Sequence, residues 1–181
     1  MLRMPSGVRL RFSTNSKNVG LHFLASNIAP SPKERRSINL NLECQGELWS
    51  ASSHAGNTIV ADVKEPMGYR LIRGEPDTVW FNDLPEDDKT CEIWLPHNAF
   101  IELRELVVDD GKHIRSATID ERNRWIHYGS SISHCMEAEQ PALIWPAVAA
   151  REAGVALVNL GFGGQCHLCL LYTSPSPRDR G

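Results

Sequence analysis

The stretch from Trp125 to Leu168 constrains the fold most, because it strings together β-formers, a serine-bearing turn, a helical pattern, an apolar run and a glycine-rich turn. Trp125 to Tyr128 is a short run of β-formers that stops at Gly129, and Ser130, Ser131 and Ser133 follow where the chain leaves the strand. From Glu139 to Ala153, residues Leu143, Ile144, Ala147, Val148 and Ala150 recur at spacings of three and four. Pro141 and Pro146 fit the first turn of such a helix and Gly154 its end. Val155 to Val158 is too short an apolar run for a helix and stops at Asn159 and Gly161, so it reads as a buried strand parallel to the first. The unit is βαβ. In a right-handed crossover both turns open on the same sheet edge, which brings Ser131 toward the turn of Gly161, Gly163 and Gly164. Glycines let backbone N–H groups approach a ligand, and N–H groups beside a serine hydroxyl are what an acyl-transfer oxyanion hole requires.

These residues resemble the SGNH or GDSL-type esterases and acylhydrolases. The family's first block, Gly-Asp-Ser-hydrophobic-Ser/Thr after a strand, is matched by Gly129, Ser130, Ser131, Ile132 and Ser133. Its second block, Asn-x-Gly-x-x-Gly, is matched by Asn159, Leu160, Gly161, Phe162, Gly163 and Gly164. The resemblance implies that Ser131 is the nucleophile, that the N–H groups of Ser131 and Gly164 are the oxyanion donors, and that no cofactor or metal is needed. It also implies that this unit opens an α/β, flavodoxin-like parallel-sheet hydrolase domain. Ser130 departs from the family's aspartate. The plainer local reading is that Ser131 caps the following helix and the glycines make a tight turn.

Upstream, apolar residues alternate at period two: Val8, Leu10 and Phe12; Val19, Leu21 and Phe23; Ile38, Leu40 and Leu42. Thr58 to Val63, Thr78 to Phe81, Cys91 to Leu95 and Phe100 to Val108 continue the pattern between turn-rich stretches, which predicts a β-sandwich. Apolar periodicity lapses over Asp120 to Arg124, so the chain divides into a sandwich over 1–120, an SGNH unit over 121–168 and a tail over 169–181. Some SGNH esterases and acyltransferases carry such a sandwich before the catalytic domain, and this chain looks like them. Trp49, Trp80 and Trp94 read as packing residues rather than a sugar-stacking platform. His97 and Asn98 sit in a turn at a strand end that faces the second unit, with His97 solvated and without a catalytic role.

The tail from Cys169 to Asp179, CLLYTSPSPRD, reads as a translated sequencing-library adapter and is excluded from fold reasoning. The family's later blocks, an asparagine oxyanion donor and an Asp-x-x-His that supplies the base, are then expected beyond Leu168. The expectation is a serine hydrolase piece with little or no activity of its own, since a serine needs a base to become a nucleophile. His134 and His167 lie near the site by sequence and read as shaping its rim.

Lys and Arg total 19 against 22 Asp and Glu, a formal charge of -3 without a basic block, which excludes a nucleic-acid partner and leaves a small-molecule or glycan ester as substrate. Cys166 and Cys169 have CxxC spacing without a second pair for zinc, so these two and Cys44, Cys91 and Cys135 read as free thiols. No run is long enough for a membrane span and no signal peptide precedes the first strand, which predicts a cytoplasmic protein. Two other readings remain open at this level. In one, the sandwich binds carbohydrate beside a non-catalytic SGNH remnant; in the other, Gly161-Phe162-Gly163-Gly164 is a phosphate turn, without the third glycine that G-x-G-x-x-G needs.

Overall fold

The computed structural model describes residues 1–62 and 68–164, and they are mostly β with few helices. The strands β1 (Leu2–Arg3), β2 (Arg9–Thr14), β3 (Val19–Ile28), β4 (Ile38–Cys44), β5 (Glu47–Ser53), β6 (Asn57–Asp62), β7 (Gly68–Ile72), β8 (Asp77–Phe81), β9 (Lys89–Trp94), β10 (Ala99–Val108) and β11 (Ile114–Ser116) form two sheets. One runs β1-β10-β3-β6-β7 with β8 also on β3; the other runs β11-β2-β9-β4-β5. The remaining elements are a 3-10 turn between β3 and β4 (Pro32–Glu34), β12 (Arg124–Gly129), α1 (Ser131–His134), a second 3-10 turn (Pro141–Leu143), α2 (Trp145–Glu152) and β13 (Ala156–Gly161).

Alternation decides which face each strand buries. Val19, Leu21, Phe23 and Ala25 of β3 and Ile38, Leu40, Leu42 and Cys44 of β4 are at most 1% exposed. They come from different sheets and meet in one core with Phe81, Ile93 and Ile101. Val8 breaks the expected alternation: it precedes β2, follows Gly7 at φ +75°, and is exposed. β5 was not evident from its residues, which carry little apolar period; it exists because Gln45 (φ +50°) and Gly46 (φ +84°) turn the chain tightly back onto β4. Val63, at the end of one predicted strand, and the tail 169–181 lie outside the described residues.

β9 buries both faces. Cys91, Ile93 and Leu95 point into the core between the sheets, while Trp94 packs with Ala142, Ile144, Ala147, Ala150 and Leu157 of the second unit. Glu92, also on this second side, accepts Arg9 Nη1 at 3.0 Å and pairs with Arg11 Nε at 3.0 Å and Arg122 Nη2 at 3.4 Å. Arg9 in turn stacks over Trp94, 4.8 Å from the ring centroid, and donates to the Leu157 carbonyl at 3.0 Å. The two units therefore share a strand's worth of buried contacts rather than a loose linker.

In the second unit β12 and β13 pair in parallel, Trp125 opposite Leu157 and Gly129 opposite Gly161. The helix predicted over Glu139 to Ala153 is instead a 3-10 turn over Pro141–Leu143 followed by α2. Pro146 has no N–H to give to a preceding turn, so the α-helix cannot run back through it and starts at Trp145. The 3-10 turn is held from β4: Asn41 Oδ1 accepts the Ala142 N–H at 3.0 Å, and Asn39 donates to the Glu139 carbonyl at 2.6 Å.

Candidate active site

The register of β12 and β13 puts Gly129 beside Gly161, and α1 lies directly over the pair. A Cβ on Gly129 would sit 2.1 Å from Ser133 Oγ, and one on Gly161 2.4 Å from Ser133 Cβ. Both strand ends are glycine because this short helix leaves no room for anything else. Ser133 is thereby buried, and its hydroxyl is 2.7 Å from His127 Nε2. Ser131, two residues earlier on the same helix, is exposed. The N-cap is Ser130, without a side-chain cap bond, so Ser131 does not cap the helix. Among the described residues the Ser131 hydroxyl has no hydrogen-bond partner.

The two sequence blocks do come together. Ser131 Cβ lies 3.9 Å from where a Cβ on Gly163 would be, and Gly164 follows at φ +70°, a conformation that favours glycine. A cavity of about 410 Å³ opens beside them, lined by Ser131, His134, Met136 and Gly163 of the second unit. The two-sheet unit closes its other side with Met4, Ile28, Pro30, Arg36 and Asn98. Arg36 is paired with Glu137 at 2.7 Å on this rim, joining the units across the cavity mouth.

Residues 122–170 match the family of GDSL-like lipases and acylhydrolases. This segment is GDSL-like. Among solved structures, the chain is similar to a salicylyl-acyltransferase, SsfX3, from a tetracycline biosynthetic pathway, at 28% identity and a TM-score of 0.67, over 88% of this chain and 40% of that one. It shares its fold with a protein described as a GDSL-like lipase from Bacteroides ovatus, at 22% identity and TM-score 0.61, over 88% of this chain and 44% of that one. It also shares its fold with a family two carbohydrate esterase from Clostridium thermocellum, at 10% identity and TM-score 0.55, over 88% and 46% of the two chains. The chain thus spans less than half the length of these solved relatives. A comparison with curated proteins gives no match.

Among the described residues of the GDSL-like unit, each histidine near Ser131 is already engaged. His127, which sequence reasoning missed, lies between Trp125 and Trp145, with ring centroids at 5.2 and 4.9 Å, and holds Ser133. Its signal was available: Trp125, His127 and Gly129 alternate onto one face of β12. His134 uses both ring nitrogens, accepting the Gly163 N–H at Nδ1 (3.1 Å) and contacting the His97 carbonyl from Nε2 (2.7 Å). His97 is buried rather than solvated as its turn position suggested, and Nε2 donates to the Ala138 carbonyl at 3.0 Å. Burial pushes its pKa down to about 4, so it is neutral at pH 7. His167 lies outside the described residues.

Asn159 of the second block ties the site together. Its Oδ1 accepts the Gly161 N–H at 3.0 Å, and its Nδ2 donates to the Ser133 carbonyl at 2.9 Å and to Ser6 Oγ at 3.1 Å. Gly7 beside Ser6 is required here, since a Cβ on it would sit 2.7 Å from Asn159 Cβ. Of the tryptophans read as packing residues, Trp94 is buried between the units and Trp49 packs on the core, while Trp80 lies against Gly20 and is 42% exposed. Among the described residues no cluster of His, Cys, Asp and Glu has the arrangement to hold a metal ion. Cys44 and Cys91 are buried opposite one another on β4 and β9, and burial pushes the Cys91 thiol up to about 12. Cys166 and Cys169 lie outside the described residues. No helix among them is long and apolar enough to cross a membrane.

Proposed function

We propose that the chain is part of a serine esterase or acyltransferase of the SGNH class, a β-sandwich over 1–120 joined to the first βαβ unit of a flavodoxin-like hydrolase domain over 121–168. Ser131 is its nucleophile, and the N–H groups of Ser131 and Gly164 are its oxyanion donors. The observation that carries this reading is that Ser131, not the buried Ser133, opens on the cavity beside the Gly163–Gly164 turn.

In this mechanism Ser131 Oγ attacks the carbonyl carbon of an ester while a base takes its proton. The negative charge that develops on the carbonyl oxygen is met by the two N–H groups, and collapse expels the alcohol with the proton the base returns. Water or an acceptor alcohol then attacks the acyl-enzyme and regenerates Ser131. His127, His134 and His97 are committed to other bonds, which supports a base that comes from outside the described residues.

The cavity walls at Met4, Ile28, Pro30 and Met136 favour an ester with an apolar group larger than acetyl, and its volume falls in the range of small-molecule pockets. Initial rates on nitrophenyl esters of increasing acyl length, measured on the full-length protein, test this. Activity that rises beyond acetate and falls by about 10⁴-fold or more in Ser131→Ala is the expected result; full activity in that variant removes Ser131 from the mechanism.

A further inference from the structure

We propose that His134 is a positioning residue that fixes the oxyanion turn against the two-sheet unit, an inference that rests on the esterase reading for its catalytic consequence but not for its geometry. Gly163, the residue before the proposed donor Gly164, gives its N–H to His134 Nδ1 at 3.1 Å. A backbone N–H only donates, so Nδ1 must be the bare acceptor and a neutral ring carries its hydrogen on Nε2. That hydrogen points at the His97 carbonyl, 2.7 Å away in the loop between β9 and β10. One imidazole therefore bridges the glycine turn and the two-sheet unit, and its bonding pattern selects a single tautomer.

The rest of the surroundings holds the ring in place. The ring is buried, Phe162 packs edge-on to it with centroids 6.4 Å apart, and the His134 carbonyl accepts Ser6 Oγ at 2.8 Å. Ser6 is in turn bound by Asn159 Nδ2. His97 delivers its carbonyl from a fixed loop, because its own ring donates to the Ala138 carbonyl and Asn98 Nδ2 donates to the Ser37 carbonyl at 3.2 Å. Oxyanion donors act through preorganisation, so a turn allowed to drift would weaken the transition state more than ground-state binding.

Two substitutions separate the two bonds of the ring. His134→Asn keeps an acceptor where Nδ1 stands and loses the reach to the His97 carbonyl; His134→Gln keeps a donor where Nε2 stands and loses the acceptor for Gly163. In the present chain, nitrogen NMR of the wild-type ring is expected to show bare Nδ1 and protonated Nε2, and amide exchange at Gly163 is expected to rise about tenfold or more in His134→Gln but little in His134→Asn. In the full-length protein, His134→Gln should lower kcat about 10- to 100-fold, a larger effect than on KM, and His134→Asn, which keeps the acceptor for Gly163, should lower kcat less than His134→Gln does. A protonated Nδ1, or Gly163 exchange unchanged in His134→Gln, overturns the proposal even if the variants fold poorly, since the first needs no variant. If Ser131 proves inert while Gly163 exchange responds as stated, the esterase reading falls and the anchoring of the turn stands.

Discussion

The two-sheet unit and the β12–β13 unit bury their apolar residues in opposite ways. In β3 and β4 the inward apolar residues meet a partner sheet and are at most 1% exposed. In β12 and β13 only one face does: Trp125, Leu157, Asn159 and the paired glycines turn toward α1, α2 and β9, while Ile126, Val158 and Leu160 are left on the open face, Ile126 at 65% exposure. Parallel sheets are ordinarily covered on both faces. The difference shows that the second unit's buried cluster, built from its own Ala142, Ile144, Ala147, Ala150 and Leu157, closes on the first unit through Trp94 of β9.

Trp94→Ala is the strongest way to break that closure. It empties the centre of the shared cluster and frees Glu43 Oε2, which accepts Trp94 Nε1 at 3.0 Å. A loss of about 3–5 kcal/mol is expected in denaturant melts. Exchange protection should vanish from β12 and β13 while β3 and β4 keep theirs; uniform loss would mean the two units unfold as one.

A pH titration sharpens the comparison at smaller effect. His97 sits at the same junction with its pKa lowered from 6.5 to about 4, and Asp109, within the two-sheet unit, is lowered to about 2 by bonds from Ser16 and Asn18. Below pH 6.5 the unfolded chain takes up a proton on His97 that the folded chain refuses, so stability falls as pH drops from about 6.5 to about 4 and then levels for this group. Asp109 acts lower, its contribution present above about 4 and lost toward about 2. His97→Gln should flatten the upper slope and leave the lower one; an unchanged upper slope would remove His97 as its source.

The smallest effect belongs to the open face. Ile126→Lys is expected to change stability by no more than about 0.5 kcal/mol, because the side chain is solvent-exposed, while reducing binding of a hydrophobic dye. A large loss of stability would show that this face is packed in solution.

What was legible in the sequence was whatever repeats at short range. Period-two alternation locates β3 and β4, and the βαβ spacing brings Ser131 to the Gly163 turn. The β5 strand was not legible, since its evidence lies in a tight turn at Gln45 and Gly46 that has no common turn dipeptide. α2 came out shorter because Pro146 fixes a start that apolar spacing alone does not show. Contacts across the junction could not be read at all: His134 meets His97 and Asn159 meets Ser6 through bonds spanning 37 and 153 positions, set by how one unit docks on the other.

Fluorophosphonate labelling of the full-length protein, followed by peptide mapping across α1, tests the central claim most directly, because Ser131 and Ser133 fall in the same peptide and differ only in exposure and partner. The account predicts the adduct on Ser131, absent in Ser131→Ala and retained in Ser133→Ala wherever that variant folds. No adduct in the folded protein, or an adduct on Ser133 beside His127, would contradict it.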